Sequence, residues 1–203
     1  FAVHPVHGET VSIIYPRAGT LSALFVLLAL LVHSKESATR AGAVSARVAT
    51  AVLAFLAMAS KDDGVMVGAM LLLYDIAFGW RGGVRGLIWR MSPIAVVTVG
   101  YLLIRAAVCS PIGFSYFGST PVGEVIRTVT VVQSVAMGLL ALPFDLAGTW
   151  ADDAIARPES WGDPWFLGAV VLVGCALGVA GFLWRRRRIV SFGILFYFAA
   201  MIP

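Results

Sequence analysis

Trp165-Phe166-Leu167-Gly168-Ala169-Val170-Val171-Leu172-Val173-Gly174-Cys175-Ala176-Leu177-Gly178-Val179-Ala180-Gly181-Phe182-Leu183-Trp184 is a run of 20 residues without a charged side chain, and four arginines, Arg185 to Arg188, follow it directly. A helix needs about 20 mostly apolar residues to cross the hydrocarbon of a bilayer. A cluster of arginines after such a span reads as a cytoplasmic stop signal. The stretch therefore predicts a membrane-spanning helix with its Trp184 end on the cytoplasmic side.

The whole chain has the same character. Of its 203 residues 60% are hydrophobic and 13% charged, with a mean hydropathy of +0.90. An ordinary soluble domain has an apolar share of about 45–50% and a charged share of about 25%. The net charge of +4 comes from 13 Arg and two Lys against 11 acidic residues. The cations sit in short segments between apolar runs rather than along one continuous basic face, so they read as orientation signals and not as a nucleic-acid surface. Cys109 and Cys175, one at the end of an apolar span and one inside another, read as two small buried thiols rather than a disulfide or metal site.

Outward from Trp165–Trp184, further windows supply most of a crossing: Leu21 to His33, Val44 to Ser60, Gly64 to Trp80, Ser92 to Val108, and Ile189 to the end. Lys35, Arg40 and Arg47, then Arg81, Arg85 and Arg90, then Arg185 to Arg188 mark cytoplasmic connections. The opening segment, the Lys61-Asp62-Asp63 turn and the acidic stretch Asp145 to Asp163 then fall on the outer face. The segment Thr128 to Leu142 carries Gln133 and breaks this alternation if it crosses. It is expected to be a re-entrant or interfacial helix on the outer side, ended by Pro143. The expected fold is all-α, a polytopic bundle of about six spans plus that extra helix. Residues 1–203 read as a single transmembrane domain. The chain opens on Phe1-Ala2-Val3 and stops within an apolar segment, as a piece of a longer protein would.

The polar residues concentrate at the predicted outer face. His4 and His7 are three residues apart, with Pro5 between them and Glu9 two further on. The zinc pattern H-E-x-x-H needs four-residue spacing with the Glu between the histidines, which this string lacks. The histidines either cap a preceding span and hydrogen-bond loop carbonyls, act directly in substrate binding or proton transfer, or hold a metal. Glu9 either orients and deprotonates a hydroxyl or caps the helix that follows. Asp75, inside a predicted span, is expected to turn into the bundle in a structural role, because a carboxylate does not face lipid. Trp150, Asp152, Asp153, Trp161 and Trp165 form an acidic, aromatic outer stretch that suits either sugar contact or a membrane-interface belt.

The string Phe1-Ala2-Val3-His4-Pro5-Val6-His7-Gly8-Glu9-Thr10-Val11, followed by Arg17-Ala18 and Leu21-Ser22-Ala23-Leu24-Phe25, resembles the HPVH-centred signature of the transmembrane and tetratricopeptide-repeat O-mannosyltransferase family and its bacterial relatives. Ser60-Lys61-Asp62 resembles that family's Ser-Lys-Glu turn. Leu73-Tyr74-Asp75 and Ala200-Met201-Ile202-Pro203 resemble later motifs in the same order. Gly8, Pro16, Gly19 and Asp62 stand where the family carries Thr, Gly, an acidic residue and Glu.

The resemblance implies a glycosyltransferase of the GT-C type, which takes a sugar, mannose in this family, from a polyprenyl-phosphate carrier at the outer face and passes it to a protein hydroxyl or another acceptor. It further implies a catalytic carboxylate upstream of Phe1 and tetratricopeptide repeats beyond Pro203. No metal or cofactor is called for by the residues, the lipid-linked sugar being the substrate. His4, His7 and Glu9 are the candidate catalytic residues. Arg17, Lys61, Asp62, Arg105 and Arg127 are the candidate substrate-binding ones, because fixed cations stabilise a leaving phosphate more as its charge grows. The structural alternative has the cations reaching lipid headgroups or pairing with Asp62, Asp63 or Glu124. The expected partners are the lipid-borne sugar, membrane lipids and a protein acceptor. The runner-up is a non-catalytic membrane protein, either an accessory subunit or a transporter-like bundle. Heavy use of Arg, Ala and Gly points to a bacterial inner membrane, the endoplasmic reticulum membrane being the eukaryotic equivalent.

Overall fold

The computed structural model describes residues 17–35, 39–79, 83–108, 120–141 and 158–201. Among them the regular structure is entirely helical: α1 Arg17–Ser34, α2 Arg40–Ser60, a 3₁₀ turn Asp62–Met66, α3 Val67–Tyr74, a π-helical turn Asp75–Gly79, α4 Gly83–Val108, α5 Val122–Ala141, α6 Pro164–Leu183 and α7 Arg188–Ala200. Five of these, α1, α2, α4, α5 and α6, are long and apolar enough to cross a membrane. The protein is a polytopic helical bundle, as its sequence predicts.

Local chemistry sets the helix ends. Thr39 caps α2, its side-chain oxygen accepting from the Gly42 N–H at 3.1 Å. Asp163 caps α6 by accepting from the Trp165 N–H at 2.8 Å, and Pro164 occupies the first helical position, where its missing N–H costs nothing. In α4 Pro93 lies inside the helix and cannot serve the carbonyl four residues earlier, that of Trp89. The Ser92 hydroxyl donates to that same oxygen at 3.3 Å, and the helix continues. Arg85 and Arg90, expected in a loop, therefore lie on the early turns of a 26-residue helix.

Of the expected span Gly64 to Trp80, residues 64–79 are helical but change pitch twice, from 3₁₀ through α to π, and Trp80 lies outside the described residues. The expected Thr128 to Leu142 helix starts earlier, at Val122, and at 20 residues reaches crossing length. Its start lies level with that of α6, because the Arg127 Nε donates to the Pro158 carbonyl at 3.2 Å. Val131 and Val135 then pack on Phe166 and Ala169, so the two helices run side by side in one direction.

Lipid offers apolar side chains no reason to leave it, so helices in a bilayer associate through close packing of small residues and a few hydrogen bonds. The core obeys this rule. Ala29 on α1 and Ala54 and Ala57 on α2 have no exposed surface, with Met58, Val67 and Leu71 beside them. Ser22 adds a buried hydrogen bond from its hydroxyl to the Ala57 carbonyl, 3.0 Å. Outward, Leu27, Val96, Val171 and Phe182 are exposed, as lipid-facing side chains should be. Cys175 is exposed too, so this thiol faces outward instead of into the core, while Cys109 lies outside the described residues. Tyr74, Phe78, Phe192 and Phe196 form an edge-on and tilted stack that fastens the π turn to α7.

The bundle sorts its charges by end. Lys35, Arg85, Arg90 and Arg185 to Arg188 gather at one end, which is joined internally by Arg90 Nη2 to the His33 carbonyl at 2.9 Å and Arg188 Nη1 to the Ala77 carbonyl at 3.4 Å. Asp62, Asp63, Glu124, Glu159 and Asp163 lie at the other. Among the described residues Asp75 is the one carboxylate at the arginine-rich end.

Candidate functional site

The carboxylate-rich end is built on the turn that follows α2. Lys61 takes an extended conformation, its N–H donating to the Ala57 carbonyl at 3.2 Å and its carbonyl accepting from the Gly64 N–H at 2.9 Å. That Ala57 oxygen also receives the Ser22 hydroxyl, so α1, α2 and the turn meet at one atom. Gly64 is required there: a Cβ on it would run into the backbone of Ala57 and Met58. The 3₁₀ turn thus leaves α2 tightly and presents Lys61, Asp62 and Asp63 at the end of the bundle.

Three further residues meet this turn, Arg105, Tyr101 and Gly19. Arg105, in the last turn of α4, forms an ion pair with Asp62. Tyr101, one helical turn earlier, donates to Asp62 Oδ1 at 2.9 Å and accepts from Arg105 Nη1 at 3.4 Å. Lys61 pairs with Asp63 at 2.5 Å. Gly19, in the first turn of α1, leaves room for the Lys61 side chain, which a Cβ there would meet at 3.7 Å. Arg17 opens that same helix, is exposed, and has no acidic partner among the described residues. Two cations, Lys61 and Arg105, therefore face two carboxylates, and the ion-paired side chains stay 30 to 58% exposed. Exposed ion pairs of this kind contribute roughly 0–1 kcal/mol, so they yield readily to a more highly charged partner. The arrangement is an exposed cluster of exchangeable ion pairs, with Arg17 on the adjoining turn of α1.

Of the predicted binding residues, then, the structure brings Lys61, Asp62 and Arg105 together, with Arg17 two residues before Gly19 on the neighbouring first turn of α1. Arg127 it leaves apart. Its guanidinium lies 5.3 Å from the centroid of the Trp161 ring and its Nε is bonded to the Pro158 carbonyl, so it joins α5 to the segment that leads into α6. Gly123 permits this by letting the Trp161 ring approach α5, where a Cβ would meet it at 3.2 Å. His4, His7 and Glu9 lie outside the described residues.

One constellation is illegible in the sequence. Asp75, 1% exposed, turns inward as expected, but its partners come from distant segments: His33 Nε2 lies 3.0 Å and Arg90 Nη2 3.1 Å from Asp75 Oδ1. Both are ion-pair contacts without hydrogen-bond alignment, and Asp75 Oδ2 has no partner. A polar residue in the last turn of an apolar helix, His33, was the one available signal. No group of His, Cys, Asp and Glu able to hold a metal occurs among the described residues.

Helices of crossing length, lipid-facing apolar surfaces and charges confined to the two ends define an integral membrane protein. Its relatives narrow the class. The chain is 28% identical to Protein O-mannosyl-transferase tmtc2 of Xenopus laevis over 76% of its own length and 21% of that protein. It is 26% identical to human Protein O-mannosyl-transferase TMTC4 over its whole length and 33% of that protein. Over a shorter stretch, 37% of this chain and 9% of the relative, identity with mouse Protein O-mannosyl-transferase TMTC2 reaches 40%. These similarities support the resemblance to the transmembrane and tetratricopeptide-repeat O-mannosyltransferases. The chain spans about a fifth to a third of the length of the first two relatives. No family model and no solved structure matches it.

Proposed function

We propose that this chain is part of a membrane glycosyltransferase of the GT-C type that moves mannose from a polyprenyl-phosphate carrier to a protein hydroxyl at the outer membrane face. The observation that supports the reading is the meeting of Lys61 and Arg105 at the Asp62–Asp63 turn, at the end of the bundle where Arg17 opens α1. Side chains from three separate segments would bear on one anion there, and the positive-inside tendency assigns this end to the outside, because Arg85, Arg90 and Arg185 to Arg188 occupy the other.

In the reaction the acceptor oxygen bonds to the anomeric carbon as the bond from that carbon to the carrier phosphate breaks. The leaving phosphate keeps the electron pair, and the acceptor proton goes to a general base. Negative charge grows on the phosphate during this step, so Arg17, Lys61 and Arg105 stabilise the transition state beyond the ground state. Asp62 occupies Arg105 until the donor phosphate displaces it. The catalytic carboxylate lies upstream of Phe1 in this reading, with Glu9, His7 and His4 assisting at the acceptor. The donor itself is the substrate, and no cofactor enters the scheme.

A second reading has one observation in its favour. Lys61 and Arg105 already hold carboxylate partners, as purely structural cations would in an accessory subunit. Transfer by the full-length protein in membranes separates the two. With labelled polyprenyl-phosphate-mannose, the enzyme consumes the donor, and an Arg17→Ala variant inserts normally yet loses turnover. A full-length protein that leaves the donor intact is an accessory one.

A further inference from the structure

A second feature lies at the arginine-rich end, away from the Lys61–Asp63 turn. A groove of about 540 Å³ opens between the end of α6 and the face of α7. Gly181 and Leu195 form its apolar wall, and Trp184, Arg185 and Arg186 form its mouth. Gly181 keeps the wall open: a Cβ there would meet nothing within 4 Å. The groove is thus hydrophobic along its length, cationic at one end, and placed where a span ends.

The cations at its mouth are unspent. Arg188, the last of the four, is taken up by the Ala77 carbonyl. The Arg186 guanidinium lies 5.0 Å from the Phe182 ring centroid, which fixes its direction without neutralising it. Arg185, Arg186 and Arg187 have no acidic partner among the described residues, and the one carboxylate described at this end, Asp75, is buried against His33 and Arg90. Consecutive like charges at the end of a spanning helix favour an anion that can bridge them. An apolar slot continuous with that anion site calls for a ligand carrying a phosphate on a hydrocarbon tail. We propose that this groove binds one anionic phospholipid, its phosphate between Arg185 and Arg186 and one acyl chain along Gly181 and Leu195.

The test uses the full-length protein purified in neutral detergent, titrated with phosphatidylglycerol or phosphatidylcholine and read by native mass spectrometry. The protein retains phosphatidylglycerol on the order of tenfold more strongly than phosphatidylcholine, as two arginine contacts predict. An Arg185→Gln/Arg186→Gln variant loses that preference. A Gly181→Leu variant, which fills the slot and leaves the charges, lowers retention of both lipids. Equal retention of the two lipids by the unaltered protein overturns the proposal, as does an unchanged preference in the double variant. Displacement of phosphatidylglycerol by an equal concentration of glycerol 3-phosphate also overturns it, because a headgroup alone makes no use of the groove.

Discussion

His33 Nε2 and Asp75 Oδ1 lie 3.0 Å apart with their side chains 5% and 1% exposed, so α1 and the π-helical turn are joined by a contact that water scarcely reaches. Arg90 from α4 closes the group at 3.1 Å. Removing one member of such a buried set leaves uncompensated charge, at a cost of about 3–5 kcal/mol. Replacing all of them by apolar residues of similar volume is often neutral. Asp75→Ala should therefore lower the thermal stability of the detergent-solubilised protein sharply. A His33→Leu/Asp75→Leu/Arg90→Met triple variant should recover most of the loss. Equal loss in both variants would mean that specific packing, rather than charge burial, sets the penalty.

Gly64 sits against the backbone of Ala57 and Met58 with no room for a methyl group. Overpacking costs about 1–3 kcal/mol where neighbours can shift, and here the neighbours are main chain. A Gly64→Ala variant should lose at least that much stability. Because the glycine also holds the Lys61–Asp63 turn against α2, donor turnover should fall with it. Unaltered melting would show that the turn can move off α2 without penalty.

Arg127 and Trp161 join α5 to the segment before α6. An Arg127→Gln substitution removes a cation–π contact worth about 0.5–2 kcal/mol and a charged hydrogen bond to the Pro158 carbonyl, about 1.5–3 kcal/mol. Stability should fall by one to a few kcal/mol, on the order of those terms, while the Michaelis constant for the lipid-linked donor stays as it was. A raised constant with intact stability would return Arg127 to the substrate site.

The charge sorting predicts topology. In a background with Cys109 and Cys175 replaced by Ala, a cysteine at position 63 should react with a membrane-impermeant maleimide on intact cells. A cysteine at position 186 should react only after the membrane is opened. The opposite pattern would invert the bundle and put the Lys61–Asp63 turn inside.

The fold is legible in the sequence where one segment carries its own answer. The apolar run ending at Trp184 can only span, and Asp75 has to turn inward because lipid excludes a carboxylate. It is not legible where the outcome depends on how helices are rotated and how far they run. Nothing local pairs His33 with a carboxylate 42 residues later, or with Arg90, 57 residues away. Arg85 and Arg90 look like loop residues until α4 is seen to begin at Gly83. Arg127 looks like an interfacial cation because its real partner, Trp161, comes from another segment. Lys61, Asp62, Asp63 and Arg105 are legible as charges gathered at one end of the spans, but which cation takes which carboxylate depends on the 3₁₀ turn.

If the Lys61–Asp63 end holds the carrier phosphate, substitutions of Asp62 and Arg105 act on donor binding with opposite signs. The steady-state Michaelis constant for polyprenyl-phosphate-mannose is to be measured in membranes containing the full-length protein, its Arg105→Gln variant and its Asp62→Asn variant. If Arg105 meets the phosphate, Arg105→Gln raises the constant on the order of tenfold, the worth of one charged hydrogen bond. Asp62→Asn lowers it, because the guanidinium is then free for the donor. If both variants shift it in the same direction, or neither shifts it at all, the ion pair is structural and the phosphate lies elsewhere.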